Sequence, residues 1–330
     1  MSSINGLGYR TMIDVAMELA APSRITVEIL NQCSDLIHVM PVVPCNKPEG
    51  HLVQVRSQLP TSLMVAEGQP VVPSRAGKQL ITYKTGLVKS LQQELVDVAK
   101  IGGGDGSDYL LKDSEAFIES LNQKVIDQCV NGNPDSDMNE VKGLAQILNS
   151  ITGDLATNVV SCGGSGSTNT SIYFLTLGPN GFYMTHPKDG KAGIDVGPVR
   201  IDHQGDDTNG YADYFYRYWE WRFGFAVDAW PNLFRACNID VPTLQAGTST
   251  LDLCKKLRKV PYRLQTKTGR GVWLMNATAM EYLDESVMAS MKAGGGISDE
   301  KIASGRIMPF FNGYPIIRCD AIGNTEGTVS

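Results

Sequence analysis

The residues that most often carry out chemistry in proteins are few in this 330-residue chain and poorly grouped. Its four histidines, His38, His51, His186 and His203, form no HExxH motif or close pair that would predict a zinc site. His203 lies in IDHQGDD, where an acidic loop in solvent is favoured over a metal site. CGGSGS around Ser165 is not a nucleophile elbow, and no lysine has Walker A surroundings. We therefore predict no catalytic residue, no metal and no cofactor, and a protein that is not an enzyme.

The densest signal is aromatic, because residues 211–230 read YADYFYRYWEWRFGFAVDAW and ten of these twenty are Tyr, Phe or Trp. Such a stretch could stack bases, bind a sugar or fill a core. Odd positions are mainly Phe and Trp and even positions mainly Tyr and charged residues, which predicts a β-strand with one buried face. A base-stacking platform would need exposed rings with interleaved Lys or Arg. We expect Phe215, Trp219, Trp221, Phe223 and Phe225 to be buried, and Tyr214, Tyr216 and Tyr218 to form a separate Tyr face.

Composition is that of an ordinary globular chain with an acidic balance, at 42% hydrophobic residues, 19% charged residues and a net charge of −6. This charge argues against a protein whose main work is to grip a phosphate backbone. The seven cysteines form no CxxC pair, and MSSINGLGYR carries no apolar signal core. We expect synthesis in a reducing cytoplasm and no membrane span.

The helices and strands that position these residues can be predicted from the periodicity of apolar residues along the chain. From Pro41 to about Thr85 the sequence has no helical period, and HLVQVRSQLP and QLITYK predict the two strands of a long hairpin. An extension of this length is usually functional or paired with something else. Helical periods predict helices at 10–20, 24–38, 87–99, 113–131, 249–259 and 276–291. Alternation and turn signals predict strands at 271–276 and 306–322 and a GPNG hairpin within 161–187.

The segment YFYRYWEWRFGFAVDAWPNLFRACNID resembles the Trp-x-x-Gly…Asp-x-Trp-x-x-x-x-Arg-x-x-Asn-Ile-Asp segment of the major capsid proteins of short-tailed, double-stranded DNA phages. The matching residues are Trp221, Gly224, Asp228, Trp230, Arg235, Asn238, Ile239 and Asp240. Segments that resemble this family in the same order include SRITVEILNQCSDLIHVMPVV, EGHLVQVRSQLPT, DSEAFIESLNQKVIDQCVNGN, VWLMNATAMEYL and FFNGYPIIRCDAIGNTE. The agreement in order along nearly the whole chain carries the resemblance.

The resemblance implies an α+β fold of the Hong Kong 97 phage type. Its parts would be an N-terminal arm at 1–48, an extended β-hairpin loop (E-loop) at 49–86, a peripheral domain at 87–145 with a spine helix at 113–131, an axial domain at 146–305, and C-terminal strands at 306–330 that return to the peripheral domain. It places inter-subunit contacts at Val53, Val55, Leu80, Ile81, Tyr83, Tyr214, Tyr216 and Tyr218. It places the axial-domain core at Phe215, Trp219, Trp221, Phe223 and Trp230.

The function implied is a major capsid protein that self-assembles, as hexamers and pentamers, into an icosahedral shell around the double-stranded DNA genome. The protein would be made in the host cytoplasm, pass through procapsid maturation and end in the virion. Its partners would be further copies of itself, portal and scaffolding proteins and a decoration or cement protein, with DNA enclosed by weak or no specific binding and no membrane involved. Two alternatives stay open: a non-viral, encapsulin-like compartment shell of the same fold, and a carbohydrate-binding or enzyme domain.

Overall fold

A computed structural model describes residues 35–101, 107–152, 157–178, 181–206, 210–228, 230–246, 250–263, 269–290, 298–301 and 307–330. Contacts divide the chain into two compact units. The first unit contains Met1–Asp35, Leu87–Val125 and Gly193–Arg222, and the second contains Leu36–Gly86, Ile126–Ala192 and Phe223–Ser330. The predicted helix at 10–20 and most of that at 24–38 lie outside the described residues.

The helices of the described residues are α1 (Asp35–Val39), α2 (Val96–Lys100), α3 (Ser107–Asn131), α4 (Leu144–Ile147), α5 (Val241–Gln245), α6 (Thr250–Arg258), α7 (Val260–Arg263) and α8 (Ala277–Ser290). The strands are β1 (Val42–Pro44), β2 (Gly50–Gln58), β3 (Gly77–Lys84), β4 (Gly86–Leu95), β5 (Val159–Ser161), β6 (Asn169–Leu177), β7 (Phe182–His186), β8 (Ile194–Val196), β9 (Arg200–Asp206), β10 (Gly210–Val227), β11 (Phe234–Asp240), β12 (Arg270–Met275), β13 (Ser298–Lys301), β14 (Ile307–Phe311) and β15 (Tyr314–Arg318). The predicted helices at 249–259 and 276–291 are confirmed within a residue or two at their ends. The predicted helix at 113–131 is also confirmed, but it begins earlier, at Ser107.

The first unit is built on the aromatic strand β10, which is the strand that alternation predicted. Its first half pairs antiparallel with β9, from Gly210↔Asp206 to Tyr216↔Arg200, and then with β8 at Trp219↔Val196. On the buried face, Trp219 stacks on Phe117 of α3 with ring centroids 6.4 Å apart.

The predicted helix at 87–99 is wrong for most of its length. Residues 86–95 form the strand β4, and only Val96–Lys100 is helical. Leu87, Leu91 and Leu95 have helical spacing, but β4 is placed beside β10 in the sheet, and tertiary pairing overrides so weak a periodic signal. The side chain of Gln92 is fully buried there and accepts a hydrogen bond from the Trp219 indole at 3.3 Å.

The second unit contains a mixed sheet with the strand order β13-β14-β15-β12-β6-β7, followed by the second half of β10. Strand β11 pairs with β6, β5 pairs with β11, and β1 pairs with β7. Helices α6 and α8 supply Leu257 and Leu283 to a core that also contains Phe174 and Trp273. Asn276 caps α8, because its side chain accepts the Ala279 N–H at 2.8 Å.

The GPNG hairpin predicted within 161–187 is not a regular hairpin. Strands β6 and β7 exist where alternation placed them, but they meet at a single pair, Leu177↔Phe182. Strand β6 instead pairs along its length with β11 and β12, and β7 pairs with β1 and β10. The predicted strands at 306–322 do form a hairpin, β14–β15, whose turn residues Asn312 and Gly313 both have positive φ, as this type of tight turn requires.

Candidate functional site

The long hairpin of β2 and β3 belongs to the second unit and is largely exposed. The two strands pair antiparallel from Gly50↔Lys84 to Arg56↔Lys78, which confirms the predicted hairpin. Every residue from 59 to 76 is exposed. This hairpin tip, defined as residues 59–76, includes apolar side chains that few monomeric surfaces would leave together in water: Leu59, Leu63, Met64, Val65, Val71 and Val72.

The base of the hairpin is fixed by hydrogen bonds from its second strand. Tyr83 is 2% exposed, and its hydroxyl accepts a hydrogen bond from the Trp230 indole N–H at 2.9 Å. The same hydroxyl donates to the carbonyl oxygen of Val227 at 3.4 Å. Burial raises the pKa of Tyr83 to about 12, so the phenol stays neutral and keeps its donor proton at neutral pH.

The first strand is fixed at the cross-strand partner of Tyr83, which is His51. The Tyr183 hydroxyl donates to the Asp228 carboxylate at 2.8 Å and lies 3.0 Å from Nε2 of His51. The His51 and Tyr183 rings meet edge to face at 5.6 Å. Burial, followed by the hydrogen bond to Asp228, raises the pKa of Tyr183, so this hydroxyl also remains a donor. We call His51, Tyr83, Tyr183, Asp228 and Trp230 the root latch.

Close packing completes the region around the root latch. A Cβ atom at Gly224 would lie 2.8 Å from Oγ1 of Thr185 and 3.0 Å from the carbonyl oxygen of Lys84, the last residue of β3. Any side chain at position 224 would therefore push against the backbone of the hairpin. Three residues that lie close together in the sequence, Gly224, Asp228 and Trp230, therefore all belong to the region at the base of the hairpin.

The motif residues that follow hold the segment 326–329. Arg235 is 4% exposed, and its guanidinium donates to the carbonyl oxygen of Leu148 at 2.9 Å and to the Glu326 carboxylate at 3.0 Å. Asn238, at φ 55°, accepts the Val329 N–H at 2.8 Å and donates to the Val329 carbonyl at 2.9 Å. Asn is among the few residues that adopt this backbone region readily.

The structure places the predicted inter-subunit residues of the hairpin in two groups. Val53 and Tyr83 are 5% and 2% exposed, so the chain itself already covers both side chains and leaves a neighbouring subunit little to contact. Val55 and Ile81 are half-buried, and Leu80 is 63% exposed. The sequence-based prediction placed all five residues at a subunit boundary because it did not include the root latch. The root latch packs the base of the hairpin within the second unit.

The Tyr face is likewise divided. Tyr218 is 47% exposed and Tyr214 is half-buried, whereas Tyr216 is 8% exposed and its hydroxyl has no partner among the described residues. On the opposite face Phe215, Trp219, Trp221 and Phe223 are buried.

The aromatic residues expected in one axial-domain core are in fact distributed over both units. Phe215, Trp219 and Trp221 belong to the first unit, where Phe215 packs with Val96 and Leu110. Phe223 belongs to the second unit. Trp230 is half-buried and serves the root latch. The division follows from the length of β10, which is 18 residues and continues from one unit into the other.

The described residues contain no cluster of three or more His, Cys, Asp or Glu side chains arranged to bind a metal ion. His203 in the acidic loop pairs with Asp213 at 2.7 Å and stacks on Tyr211. None of the helices described here is both long and apolar enough to span a membrane.

Sequence reasoning missed Tyr183, Glu326 and the latch role of His51. Tyr183 lies in a segment interpreted only for its turn and strands, and Glu326 ends a segment quoted only for its resemblance to the family. Their partners are 132 and 91 residues away in the chain, so no local pattern signals them.

Residues 21–330 match the family model described as major capsid protein GP7. The chain is similar to a solved structure of bacteriophage Epsilon15, at 24% identity over 99% of both chains with a TM-score of 0.72. No curated protein sequence matches it.

Two weaker likenesses are too remote to support an inference. One is to the capsid of bacteriophage JBD30, at 10% identity over 95% of this chain and 99% of the other, with a TM-score of 0.45. The other is to the SrpI encapsulin of Synechococcus elongatus PCC 7942, at 12% identity over 71% of this chain and 97% of the other, with a TM-score of 0.40.

Proposed function

Since the chain belongs to the major capsid protein GP7 family, we propose that its exposed hairpin is the element that ties neighbouring subunits together in the shell. The protein is a phage major capsid protein that forms an icosahedral shell, and its place is the capsid of the virion. It is a structural protein rather than an enzyme. Its fold is the mixed α/β capsid fold of the Hong Kong 97 phage type.

The observation that carries the proposal is the exposed apolar surface of the hairpin tip. Met64 is fully exposed, and Val72 and Leu59 are 75% and 70% exposed. A two-stranded ribbon with uncovered apolar side chains is marginal in water unless another surface covers it. In a closed shell a neighbouring copy supplies that surface, because each subunit meets its neighbours through several different patches.

Within the hairpin, the two groups of residues would have different roles. The root latch and the neighbouring buried residue Val53 would set the direction in which the hairpin leaves the subunit. Val55, Leu80, Ile81 and the hairpin tip would make the contacts with a neighbour. On the Tyr face, Tyr218 and Tyr214 would form a second contact, whereas Tyr216 and its hydroxyl are already buried within the subunit.

Family membership supports the remaining assignments that we propose. We assign residues 1–48 to the N-terminal arm, 49–86 to the E-loop, 87–145 to the peripheral domain with its spine helix at 113–131, 146–305 to the axial domain and 306–330 to the C-terminal strands. The shell would consist of hexamers and pentamers around double-stranded DNA. Portal and scaffolding proteins and a decoration protein would be the further partners.

Negative-stain electron microscopy tests the proposal directly. The purified protein, alone and co-expressed with a scaffolding protein, is expected to give closed particles of uniform diameter. A variant in which a short Gly-Ser link replaces residues 60–75 should remain folded by circular dichroism yet give no stable particles. Normal particles from that variant would exclude the hairpin as the tie between subunits.

A further inference from the structure

We propose that a cavity beside helix α6 binds the phosphate groups of a polyanion. The cavity lies within the second unit and has a volume of about 500 Å³. Its walls are the glycine-rich loop Cys162–Ser165, the end of β11 with the start of α5, and the face of α6. This site is a function additional to shell formation. It rests on the proposed enclosure of DNA only in the case that packaged DNA supplies the phosphate groups.

The charge of the cavity is opposite to that of the chain. Three lysines, Lys255, Lys256 and Lys259, line it with a single acidic residue, Asp240. The carboxylate of Asp240 is engaged in hydrogen bonds from the Thr243 N–H at 3.2 Å and from the hydroxyls of Thr243 and Thr168. Ammonium groups therefore dominate the space, in a chain whose net charge is −6.

The positive charge extends along the surface next to the cavity. Residues 253–263 read LCKKLRKVPYR, with no acidic residue. Arg258 and Arg263 on this segment are exposed, as are Lys255 and Lys259. Such a local basic patch on an acidic protein is the footprint expected where a phosphate-bearing ligand binds.

The opposite wall consists largely of backbone. Gly163 and Gly166 have φ values of 94° and 110°, which suit glycine, and a Cβ at Gly163 would meet nothing within 4 Å. A Cβ at Gly164 would lie 2.5 Å from the side-chain oxygen of Asn169, so this position must also lack a side chain. Because its glycines carry no side chains, this wall leaves room for an anion next to the lysines.

Two further residues prepare the site for an anion. Lys256 donates to the carbonyl oxygen of Ser161 at 3.1 Å, which holds its ammonium group at the wall. Burial raises the pKa of the Cys162 thiol to about 11, so this side chain adds no negative charge at neutral pH. Each ammonium group has three N–H donors, so three lysines suit an anion with several acceptor oxygens better than a single carboxylate. Phosphate is therefore favoured over an acidic protein segment.

The test uses the full-length, unassembled protein and three probes: a short fluorescent DNA duplex, inorganic tripolyphosphate and poly-glutamate. The cavity variant Lys255→Gln/Lys259→Gln leaves Lys256 in place, and Lys47→Gln/Lys188→Gln removes the same charge from exposed positions that do not line the cavity. We expect the cavity variant to weaken phosphate binding and to lower the slope of log affinity against log salt for the duplex by about 2, with the control pair close to the unmodified protein.

Each outcome decides the proposal. Binding of the duplex and tripolyphosphate, both lost in the cavity variant, identifies nucleic acid as a source, whereas binding of tripolyphosphate alone identifies a small polyphosphate. Binding of poly-glutamate only, equal losses in both variants, or no binding at all overturns the site. Particle formation by the cavity variant, measured separately by electron microscopy, keeps a failure here distinct from a failure of the shell function.

Discussion

The indole N–H of Trp230 donates to the hydroxyl of Tyr83 across 2.9 Å, and these two residues are 147 positions apart in the chain. Tyr83 lies on the second strand of the long hairpin, and its cross-strand partner His51 is held by Tyr183 in the same way. One pair of opposed residues thus anchors both strands of the hairpin at its base.

The hydrogen bond between Trp230 and Tyr83 should stabilise the subunit measurably. Tyr83→Phe and Trp230→Phe are each expected to lower the free energy of unfolding by about 0.5–1.5 kcal/mol. The double variant should lose less than the sum of the two, because both single changes break the same bond. Chemical denaturation measures all three, and Tyr211→Phe, on an exposed tyrosine, is the control. Strict additivity would show that the two side chains do not interact.

Arg235 should be far more sensitive to substitution than an exposed arginine. Its guanidinium is buried against Glu326, so Arg235→Met removes the positive charge beside this carboxylate, which keeps only the hydroxyl of Ser171 as a donor among the described residues. The variant also removes the donor to two carbonyl oxygens, and the total cost should be about 3–5 kcal/mol. Arg318→Met breaks the pair with Asp320, in which both side chains are more than half exposed, and should cost less than about 1 kcal/mol. Similar midpoints in urea unfolding for the two variants would contradict this.

The two faces of strand β10 should separate folding from assembly. Trp221 is 6% exposed, and Trp221→Ala should cost about 3–5 kcal/mol of stability. Tyr218 is 47% exposed, and Tyr218→Ala should leave the thermal midpoint nearly unchanged while it weakens particle formation. Calorimetry and negative-stain microscopy check the two outcomes. A stable Trp221→Ala subunit with only an assembly defect would place that ring on a subunit boundary.

Apolar side chains at the hairpin tip should matter for assembly and not for folding. Leu63→Ser/Met64→Ser/Val72→Ser removes exposed apolar surface, so the subunit should unfold at the same denaturant concentration and yet assemble poorly. Ser62→Ala/Gln69→Ala, at exposed polar positions of the same segment, is the control. Light scattering during assembly gives the readout, and unimpaired assembly of the triple variant would remove the tip from the interface.

Alkaline pH should loosen the root latch. The folded-state pKa of Tyr83 is raised from 10.0 to about 12, so burial of the neutral phenol contributes fully below pH 10. As the pH rises from 10 towards 12 the unfolded chain loses this proton first, and the free energy of unfolding falls. Titration of unfolding across this range checks the sign. Tyr83→Phe should reduce the slope, and an unchanged slope would assign the effect to other groups.

A structural feature can be predicted from this sequence when the residues that form it lie close together in the chain. Alternation in β10 is local, so the buried Trp and Phe face could be predicted residue by residue. The β2–β3 hairpin and the helix at 276–291 are encoded within a few tens of residues and were also predicted.

The features that could not be predicted depend on distant pairing. Strand β4 has helical spacing of its leucines, and only its place in the sheet makes it a strand. Arg235 and Glu326 meet across 91 residues, and Tyr183 meets His51 across 132. A single sequence offers no local trace of such contacts, which is why Tyr83 and Val53 were expected at a subunit boundary instead of inside the subunit.

The root latch lies at the base of a long strand, so a small change of angle there moves the far end of the hairpin by a larger distance. From His51 to Gln58 strand β2 extends roughly 23 Å at about 3.3 Å per residue, so a tilt of about 5° at the base moves the far end of the strand by about 2 Å. We expect a tilt of this size about the pair His51 and Tyr83 to leave the rest of the second unit unchanged. In the proposed shell of pentamers and hexamers, such a tilt would let subunits with the same fold reach neighbours that meet them at different angles.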